Sequence, residues 1–297
     1  MENKTKLFLT RPFEFKLNPE TAIDNKLQQT LELTQKEINQ RVHHEFDQLI
    51  NLIEGKIDYY IFQDTALPST PDSIFPNNWF STENKMLTLY PMKANNRQLE
   101  RTKGGLELIQ KHMNYPINDL THYEAENKFL EGTGVLVFDH QNKIAYCALS
   151  ERANLELAKK HTLDINYQLI AFETKDRDGN AIYHTNVMLA VLKNHIVYCE
   201  EVIANQADKD LIEKSILNSA KRPLKVSYDQ MLGFTCNILA VNDYLLMSTQ
   251  AYESFHMEQR ENLSKDYEIL HTDLKTIETL GGGGCRCMLA ELFPINF

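Results

Sequence analysis

The hydrophobic and polar positions of the chain repeat one layout: a polar, turn-prone entry, an apolar strand-like run, a turn and a second apolar run. Four stretches have this layout: FPNNWFSTENKMLTLYPM, EGTGVLVFDHQNKIAYCALSERA, YHTNVMLAVLKNHIVYCEEV and FTCNILAVNDYLLMSTQAY. The turns inside them contain the Asn and Asp residues that hairpin loops favour. The pattern therefore predicts four β-hairpins, each preceded by a polar residue.

The polar entry residues of these hairpins are evenly spaced. Asn78, Glu131, His184 and Asn237 follow one another at intervals of 53 residues, and Cys287 comes 50 residues later. Such a period indicates one supersecondary unit repeated along the chain. The alternative is an ordinary α/β sandwich in which the similar spacing arose by chance.

Helix-like and strand-like stretches fill the intervals between the hairpins. NNRQLERTKGGLELIQKHM has a helical pattern that we expect to break at Gly104 and Gly105. Near the N-terminus, one helix face is formed by apolar residues, namely Ile38, Val42, Phe46, Ile50 and Ile53. A fifth hairpin would form by pairing CMLAELF with KLFLTRPF, which lie near opposite ends of the chain. We therefore expect an α/β fold of five ββαβ units around an axis, with the entry residues converging at the centre.

Composition and charge narrow the functional classes. The net charge of −10 argues against nucleic acid as a partner, and no apolar run approaches the ~20 residues that span a membrane. The first residues lack the apolar core of a signal peptide. Five dispersed cysteines, an odd number, fit reduced thiols in the cytoplasm. We expect a cytoplasmic protein with a small-molecule partner, and a homo-oligomer is compatible with this sequence.

Several motifs, in order and at the expected spacing, resemble those of the pentein or amidinotransferase-like superfamily. LEGTG resembles its E-G-G block, YHTN its H-x-D block, GGGCRCM its G-G-G-x-H/R-C-M block, and ALSERAN its S-x-R-T-N segment. The resemblance implies a five-bladed α/β propeller and a single catalytic domain over residues 1–297. FPNNW, EGTG and the cysteine block are most similar to the citrulline ureidases, which are citrulline-utilisation hydrolases.

The resemblance also implies a catalytic trio. Cys287 aligns with the nucleophile of the family, His184 with its general acid and base, and Glu131 with a carboxylate that hydrogen-bonds a substrate nitrogen or orients His184. A thiol next to a cation or a base is a competent nucleophile, and an imidazole suits proton transfer near neutral pH. The simpler alternatives are a buried structural thiol, a structural histidine and a solvated loop carboxylate.

Asn77 and Asn78 replace the carboxylate that guanidine-processing relatives have at this place. A buried carboxylate without a cation partner is costly, so a neutral amide here favours a neutral head group. The ureido group of citrulline is neutral and offers both donors and an acceptor, which the amide of an Asn residue can match. The alternative is that the two asparagines only form the turn.

Further substrate contacts are expected from side chains that match the family motifs. Arg152 would hold the α-carboxylate by a bidentate fork, and Asp72 would meet the α-ammonium group. Arg97 is a second candidate for the carboxylate, or else a residue of the helix surface. Asn186 occupies the usual place of an acid and would hydrogen-bond the substrate. Asn237, at the fourth repeat position, is interpreted as structural.

No metal site or cofactor is expected, because the sequence has neither a CxxC pair nor an HExxH motif. The sequence therefore predicts a cysteine hydrolase that cleaves citrulline to ornithine, carbon dioxide and ammonia through a covalent intermediate. The first alternative is a dimethylarginine hydrolase, an arginine deiminase or an amidinotransferase acting on a guanidino group. A ribosome-binding factor on the same scaffold is the other, and its relatives lack the Cys, His and Glu set.

Overall fold

The repeating hairpin pattern corresponds to fifteen short strands in a computed structural model that describes residues 4–294. The strands are β1 (Lys6–Arg11), β2 (Tyr59–Gln63), β3 (Phe80–Ser81), β4 (Leu87–Leu89), β5 (Ile117–Asp119), β6 (Val137–Asp139), β7 (Ile144–Ala148), β8 (Gln168–Phe172), β9 (Leu189–Val191), β10 (His195–Tyr198), β11 (Arg222–Lys225), β12 (Leu239–Val241), β13 (Tyr244–Ser248), β14 (Glu268–Thr272) and β15 (Ala290–Leu292). They form five sheets of three strands each.

Ten α-helices connect these strands within the described part of the protein. The helices are α1 (Gln35–Ile53), α2 (Asn95–Gln98), α3 (Gly105–Met113), α4 (Gly132–Val135), α5 (Leu155–Asp164), α6 (Gln206–Asn218), α7 (Tyr228–Leu232), α8 (Thr249–Ser254), α9 (Met257–Ser264) and α10 (Lys275–Gly281). The mixed α/β class predicted from the sequence is confirmed.

Every sheet has the same topology. A middle strand pairs antiparallel with one neighbour and parallel with the other, and a helical connection leads from the middle strand to its parallel neighbour. In the sheet that contains β1, the antiparallel neighbour is β15, with Leu7 opposite Glu291. The predicted pairing of segments from opposite ends of the protein is therefore confirmed.

The first helix, α1, shows how local sequence sets an element. Thr34 accepts a hydrogen bond from the backbone of Glu37, whose side chain bonds back to Thr34, so that a capping box starts the helix. Ile38, Val42 and Phe46 then recur on one face and are buried. This apolar face packs against β14 and α10.

Glycine interrupts the second helical stretch where the sequence predicted a break. Gly104 has a φ of +104°, in the left-handed region that glycine adopts most easily, and it separates α2 from α3. Residues 252–270, which also have a helix-like pattern, contain the end of α8, the whole of α9 and the start of β14.

The polar entry residues lie on or beside helical turns rather than on strands. We call four of these segments the entry turns: Pro76–Asn78, Gly132–Val135, Thr185–Val187 and Cys285–Met288. Successive side chains of a helical turn do not alternate between two faces as they do on a strand. Cys285 and Cys287 therefore lie on a helical turn and not on a strand.

Hydrophobic clusters connect each sheet to the next. One cluster includes Tyr146 of β7, Tyr198 of β10 and Met247 of β13. A second joins the sheet of β13 to that of β1 through Leu246 and Leu7. Two further clusters join the sheet of β1 to that of β4, and the sheet of β4 to that of β7. The core therefore lies mainly between neighbouring sheets.

Candidate active site

A small cavity lies where the entry turns meet, and we call it the candidate cavity. Its lining includes six side chains that the sequence analysis singled out, namely Asp72, Asn78, Arg97, Arg152, His184 and Cys287. These residues come from stretches that are far apart in the sequence, and each is almost completely buried. The cavity thus collects acid, base, amide and thiol groups in one place.

His184 and Glu131 form a buried hydrogen-bonded pair. Nε2 of His184 is 2.8 Å from Oε2 of Glu131. Burial lowers the pKa of His184 below its ordinary value, and the hydrogen bond that His184 donates to Glu131 opposes this effect. Burial alone would raise the pKa of Glu131, but the charge of Arg152 and the contact with His184 hold it well below its usual range. The carboxylate can only accept, so Nε2 of His184 carries the hydrogen and Nδ1 of the neutral ring keeps its lone pair.

Two glycines of the EGTG motif allow the close packing around this pair. Gly132 has a φ of +46°, and a Cβ there would lie 2.5 Å from the backbone oxygen of Asn77. A Cβ on Gly134 would lie 2.4 Å from Nδ2 of Asn78 and 2.9 Å from Nδ1 of His184. Glycine is therefore needed at both positions, because the EGTG turn packs directly against Asn77, Asn78 and His184.

Cys287 is 4 % exposed and is held among carboxamides. Its sulfur accepts hydrogen bonds from Nδ2 of Asn237 at 3.1 Å and from Nδ2 of Asn186 at 3.5 Å. Burial raises the pKa of the Cys287 thiol, and the Asn237 hydrogen bond opposes that rise. Asn186 lies against the sulfur and lines a separate cavity, and its Oδ1 has no partner among the described residues, so its predicted contact with substrate stays a prediction. Asn237, interpreted from the sequence as structural, contacts the candidate nucleophile.

Arg97 fixes the orientation of Asn78. Nη1 of Arg97 donates to Oδ1 of Asn78 at 2.7 Å, and Nε of Arg97 forms an ion pair with Glu100 at 2.8 Å. Nδ2 of Asn78 is buried and has no hydrogen-bond partner among the described residues. Arg97 is only 2 % exposed, so the helix-surface alternative is wrong; its fork is occupied by Glu100 rather than offered to a carboxylate.

Asn77 faces away from the candidate cavity. Its Nδ2 donates to the hydroxyl of Thr133 at 3.2 Å, and that hydroxyl donates to the backbone oxygen of Asn77. Asn77 thereby ties its own turn to the EGTG turn. The structure therefore brings Asn78, but not Asn77, to the place where both were predicted to bind substrate.

Arg152 is closed into an ion-pair network. Its guanidinium contacts both oxygens of Asp24, donates to the backbone oxygen of Thr21 and pairs with Glu131. A guanidinium has five N–H donors, and these four contacts already engage all three of its nitrogens. Arg152 lines the cavity, but the free bidentate fork expected for a substrate carboxylate is occupied by Asp24.

The N-terminal loop, which we define as residues 12–34, supplies functional groups that the sequence analysis missed. It adopts turns and bends only, and Thr21 and Asn25 line the cavity. Asn18 and Thr21 donate to Oδ2 of Asp72 at 2.8 and 2.9 Å, which leaves Oδ1 of Asp72 without a partner among the described residues. The only sequence signal was the density of Asn, Asp and Thr in a stretch without periodicity.

No group of three or more His, Cys, Asp or Glu side chains in residues 4–294 is arranged to hold a metal ion. In the same range, no helix is long and apolar enough to cross a bilayer. The arrangement instead combines a thiol, an imidazole–carboxylate pair and a carboxylate with a free oxygen. These groups suit nucleophilic attack, proton transfer and binding of an amino acid.

Comparison with known proteins identifies relatives of this protein. The family model of eukaryotic N,N dimethylarginine dimethylhydrolase matches residues 11–294. No curated protein sequence matches it.

Similar solved structures include ArgZ, an arginine dihydrolase from the ornithine–ammonia cycle in cyanobacteria. The apo structure has a TM-score of 0.79 at 15 % identity, over 98 % of this chain and 41 % of that chain. Its N-terminal domain, bound to substrate, has a TM-score of 0.78 at 15 % identity, with 98 % of both chains covered. The protein therefore spans less than half of full-length ArgZ but nearly all of that domain.

A third similar structure is that of a DDAH from Pseudomonas aeruginosa in complex with citrulline. Its TM-score is 0.66 at 13 % identity, over 98 % of this chain and all of that one. The TM-scores show that these proteins and the present one share a fold, and at identities this low the similarity shows the fold alone.

Proposed function

The chain belongs to the eukaryotic N,N dimethylarginine dimethylhydrolase family of the pentein superfamily, and on this premise we propose that it is a cysteine hydrolase of arginine-like amino acids. It cleaves a C–N bond in the side chain of its substrate, with Cys287 as nucleophile and citrulline as preferred substrate. The products are ornithine, carbon dioxide and ammonia.

The orientation of Asn78 is the observation that favours citrulline. Because Oδ1 of Asn78 accepts from Arg97, its Nδ2 donors are the atoms left for a ligand. A buried donor needs an acceptor. The ureido group of citrulline has a carbonyl oxygen, whereas a guanidinium has only N–H donors. Asn78 therefore matches a ureido head group and leaves a guanidinium without a complementary contact.

Asp72 suits the other end of an amino acid. Asp72 lines the candidate cavity, and its Oδ1 has no partner among the described residues, while its Oδ2 is bonded to Asn18 and Thr21. A buried carboxylate oxygen without a partner is best satisfied by a cation. The α-ammonium group of the substrate supplies that cation, as the sequence predicted.

The first chemical step joins Cys287 to the ureido carbon. The thiol proton passes to Nδ1 of His184 as the C–S bond forms, and Glu131 stabilises the imidazolium through Nε2. The tetrahedral species then collapses with cleavage of the bond to the side-chain nitrogen. His184 returns its proton to that nitrogen, and ornithine leaves.

The second step releases the remaining carbamoyl group. Water gives a proton to Nδ1 of His184 and attacks the carbamoyl thioester, and the C–S bond breaks. Carbamic acid leaves and decomposes to carbon dioxide and ammonia, while Cys287 recovers its proton. Two moderate barriers thereby replace one large barrier.

The test is mass spectrometry of the protein quenched during turnover of citrulline. We expect a carbamoyl adduct on the peptide that contains Cys287, together with free ornithine. A larger adduct that retains the amino acid would show that the other C–N bond breaks. Unmodified protein during sustained turnover would contradict covalent catalysis.

Hydrolysis of a guanidino substrate is the second candidate, because the matching family model and ArgZ are described by dimethylarginine and arginine activities. Parallel assays with citrulline, arginine, methylated arginines and an added amine acceptor separate the candidates. Ornithine from citrulline supports the proposal. Citrulline formed from arginine would refute the preference for a ureido group.

The five sheets further favour a five-bladed propeller as a single catalytic domain. Hydrophobic clusters join each sheet to the next, and the cluster of Leu7 and Leu246 joins the last sheet to the first. Such closure would place the entry turns around one axis. The five free cysteines are in keeping with a reducing compartment such as the cytoplasm.

A further inference from the structure

The sulfur of Cys287 has two carboxamide neighbours that no part of the proposed reaction has yet used. Asn237 donates to the sulfur at 3.1 Å and Asn186 donates at 3.5 Å, and both asparagines are at most 2 % exposed. A thiol sulfur is a weak acceptor, whereas a thiolate is a strong one. Two N–H donors directed at this atom therefore favour its ionised form.

The orientation of the Asn237 amide is fixed by the backbone. Its Oδ1 accepts from the N–H of Cys287 at 3.3 Å, and its Nδ2 also lies 3.4 Å from the backbone oxygen of Asn186. The backbone oxygen of Asn237 accepts from the N–H of Arg286 at 3.2 Å. An amide held on both sides keeps its donor on the sulfur without a cost for reorganisation.

Among the described residues, no cation donates a hydrogen bond to the sulfur, although the charges of Arg286 and Arg97 act on it from a distance. The hydrogen bonds that reach the sulfur come from the two carboxamides. Arg286, the neighbour in sequence, donates to the backbone oxygen of Leu289 and pairs with Glu291. Burial raises the pKa of Cys287, and the Asn237 hydrogen bond is the largest opposing effect, followed by the charge of Arg286 and then by the Asn186 hydrogen bond.

We propose that the carboxamides of Asn237 and Asn186 stabilise the Cys287 thiolate, with Asn237 as the dominant donor. Two neutral amides thereby do what a fixed cation does in many cysteine enzymes. This proposal rests on Cys287 being the nucleophile of the proposed function. It makes Asn237 a catalytic residue, since it touches the reacting sulfur.

The same donors serve both steps of the reaction. During attack, they stabilise the thiolate from which the C–S bond forms. During hydrolysis, the C–S bond breaks and its electron pair returns to sulfur, which again becomes a strong acceptor. The amides weaken their contact only while sulfur is part of the neutral thioester, so they favour departure of the carbamoyl group.

The test is alkylation of the substrate-free protein by iodoacetamide across a range of pH, with modification of Cys287 followed by mass spectrometry of its peptide. Asn237→Asp keeps the shape and the acceptor for the Cys287 N–H but replaces the donor by a carboxylate oxygen. We expect the alkylation rate at neutral pH to fall about tenfold or more and its pH profile to move to higher pH. Asn186→Ala should produce a smaller shift in the same direction.

Asn205→Asp is the matched control, because it introduces the same charge at an exposed helix N-cap where Asp works equally well. It should leave the profile of Cys287 unchanged. Thermal melting and the ultraviolet absorbance of the thiolate, measured against Cys287→Ser, report folding and ionisation independently of reagent access. A folded Asn237→Asp protein with the wild-type profile would refute the proposal. The assay uses no substrate, so the outcome stands whether or not citrulline is turned over.

Discussion

The candidate cavity has two sides that differ in charge. On the charged side, Glu131 pairs with Arg152, which also pairs with Asp24, and Arg97 pairs with Glu100. These ions are nearly all buried, and each has a partner of opposite sign. They therefore stabilise one another and orient the neutral groups beside them, the imidazole of His184 and the amide of Asn78.

The neutral side surrounds the sulfur. Asn186 and Asn237 donate to Cys287, and the nearby carboxyl group of Glu278 has an oxygen 3.0 Å from the position that a Cβ on Gly284 would take. Burial raises the pKa of Glu278 to about 8, so it is neutral at neutral pH. The groups that donate hydrogen bonds to the sulfur of Cys287 are therefore dipoles, while the charges of Arg286 and Arg97 act on it without a hydrogen bond.

The difference indicates a division of labour. In the proposed reaction, the charges on one side prepare proton transfer and the recognition of a neutral head group, while the dipoles on the other side favour ionisation of the thiol. A carboxylate next to the sulfur would repel the thiolate. Keeping the charged carboxylates on the other side avoids this effect.

Loss of the Glu131 charge should have the largest effect. Glu131→Gln removes the partner of the imidazolium, so we expect kcat to fall by about 10²- to 10³-fold. A carboxylate raises the pKa of a neighbouring imidazole, so its loss lowers the pKa of His184 further. The limb of the pH–rate profile that reports His184 should therefore move to lower pH.

Glu124→Gln is a suitable control for that variant, because Glu124 also pairs with an arginine, Arg101, but lies outside the candidate cavity. Glu124→Gln should leave the pH–rate profile unchanged. An unshifted limb in Glu131→Gln, with the protein folded, would show that Glu131 does not act on His184.

Disturbing the close packing between the two sides of the candidate cavity should have an intermediate effect on activity. Gly134→Ala places a Cβ 2.4 Å from Asn78 and 2.9 Å from His184, so both must move. We expect kcat/KM to fall by about 10- to 100-fold, since small displacements of positioned groups are costly. In Gly105→Ala the new Cβ would meet its neighbours at 3.4 Å or more, and activity should stay close to wild type. Equal kinetics for the two variants would show that the EGTG turn does not position these groups.

Replacement of Glu278, the buried carboxyl on the sulfur side, should have the smallest effect, and this effect should be on stability. Because the pKa of Glu278 is raised from 4.5 to about 8, the folded protein holds this proton more tightly than the unfolded state does. The stability that it contributes is complete below pH 4.5 and is lost as the pH rises towards about 8. Glu278→Gln should therefore melt ~5 °C or more above wild type at high pH, and the gap should shrink on acidification.

Glu173→Gln is the corresponding surface control, because it removes the same charge from an exposed side chain. Its melting temperature should differ from wild type by a similar amount at every pH. If Glu278→Gln behaves in the same way, the carboxyl of Glu278 is not kept neutral by the fold.

Much of the molecule followed from local sequence pattern. The apolar face of α1, the break at Gly104 and the hairpins were predicted because each depends on residues a few positions apart. The spacing of Glu131, His184 and Cys287 also identified residues that lie together, since a repeated unit returns the same backbone position to the same environment. Neither argument required knowledge of a distant contact.

Other features could not be predicted because they depend on partners far away in the sequence. Arg97 has the pattern of a helix-surface residue, yet it is buried against Asn78 and Glu100. Asn237 was interpreted as structural because nothing near it in sequence shows that its amide meets Cys287, 50 residues later. The N-terminal loop has no periodicity, so its contribution to the cavity gave no signal.

The sequence by itself determined the repeating elements, the kinds of chemical group at each entry turn and the absence of a fixed charge at Asn78. Tertiary structure alone decided which of these groups touch and which atom of each amide is left without a hydrogen-bond partner. The physical reason is that hydrophobic period and turn chemistry act over a few residues. Hydrogen-bond partners and burial, in contrast, are set only when distant turns pack together.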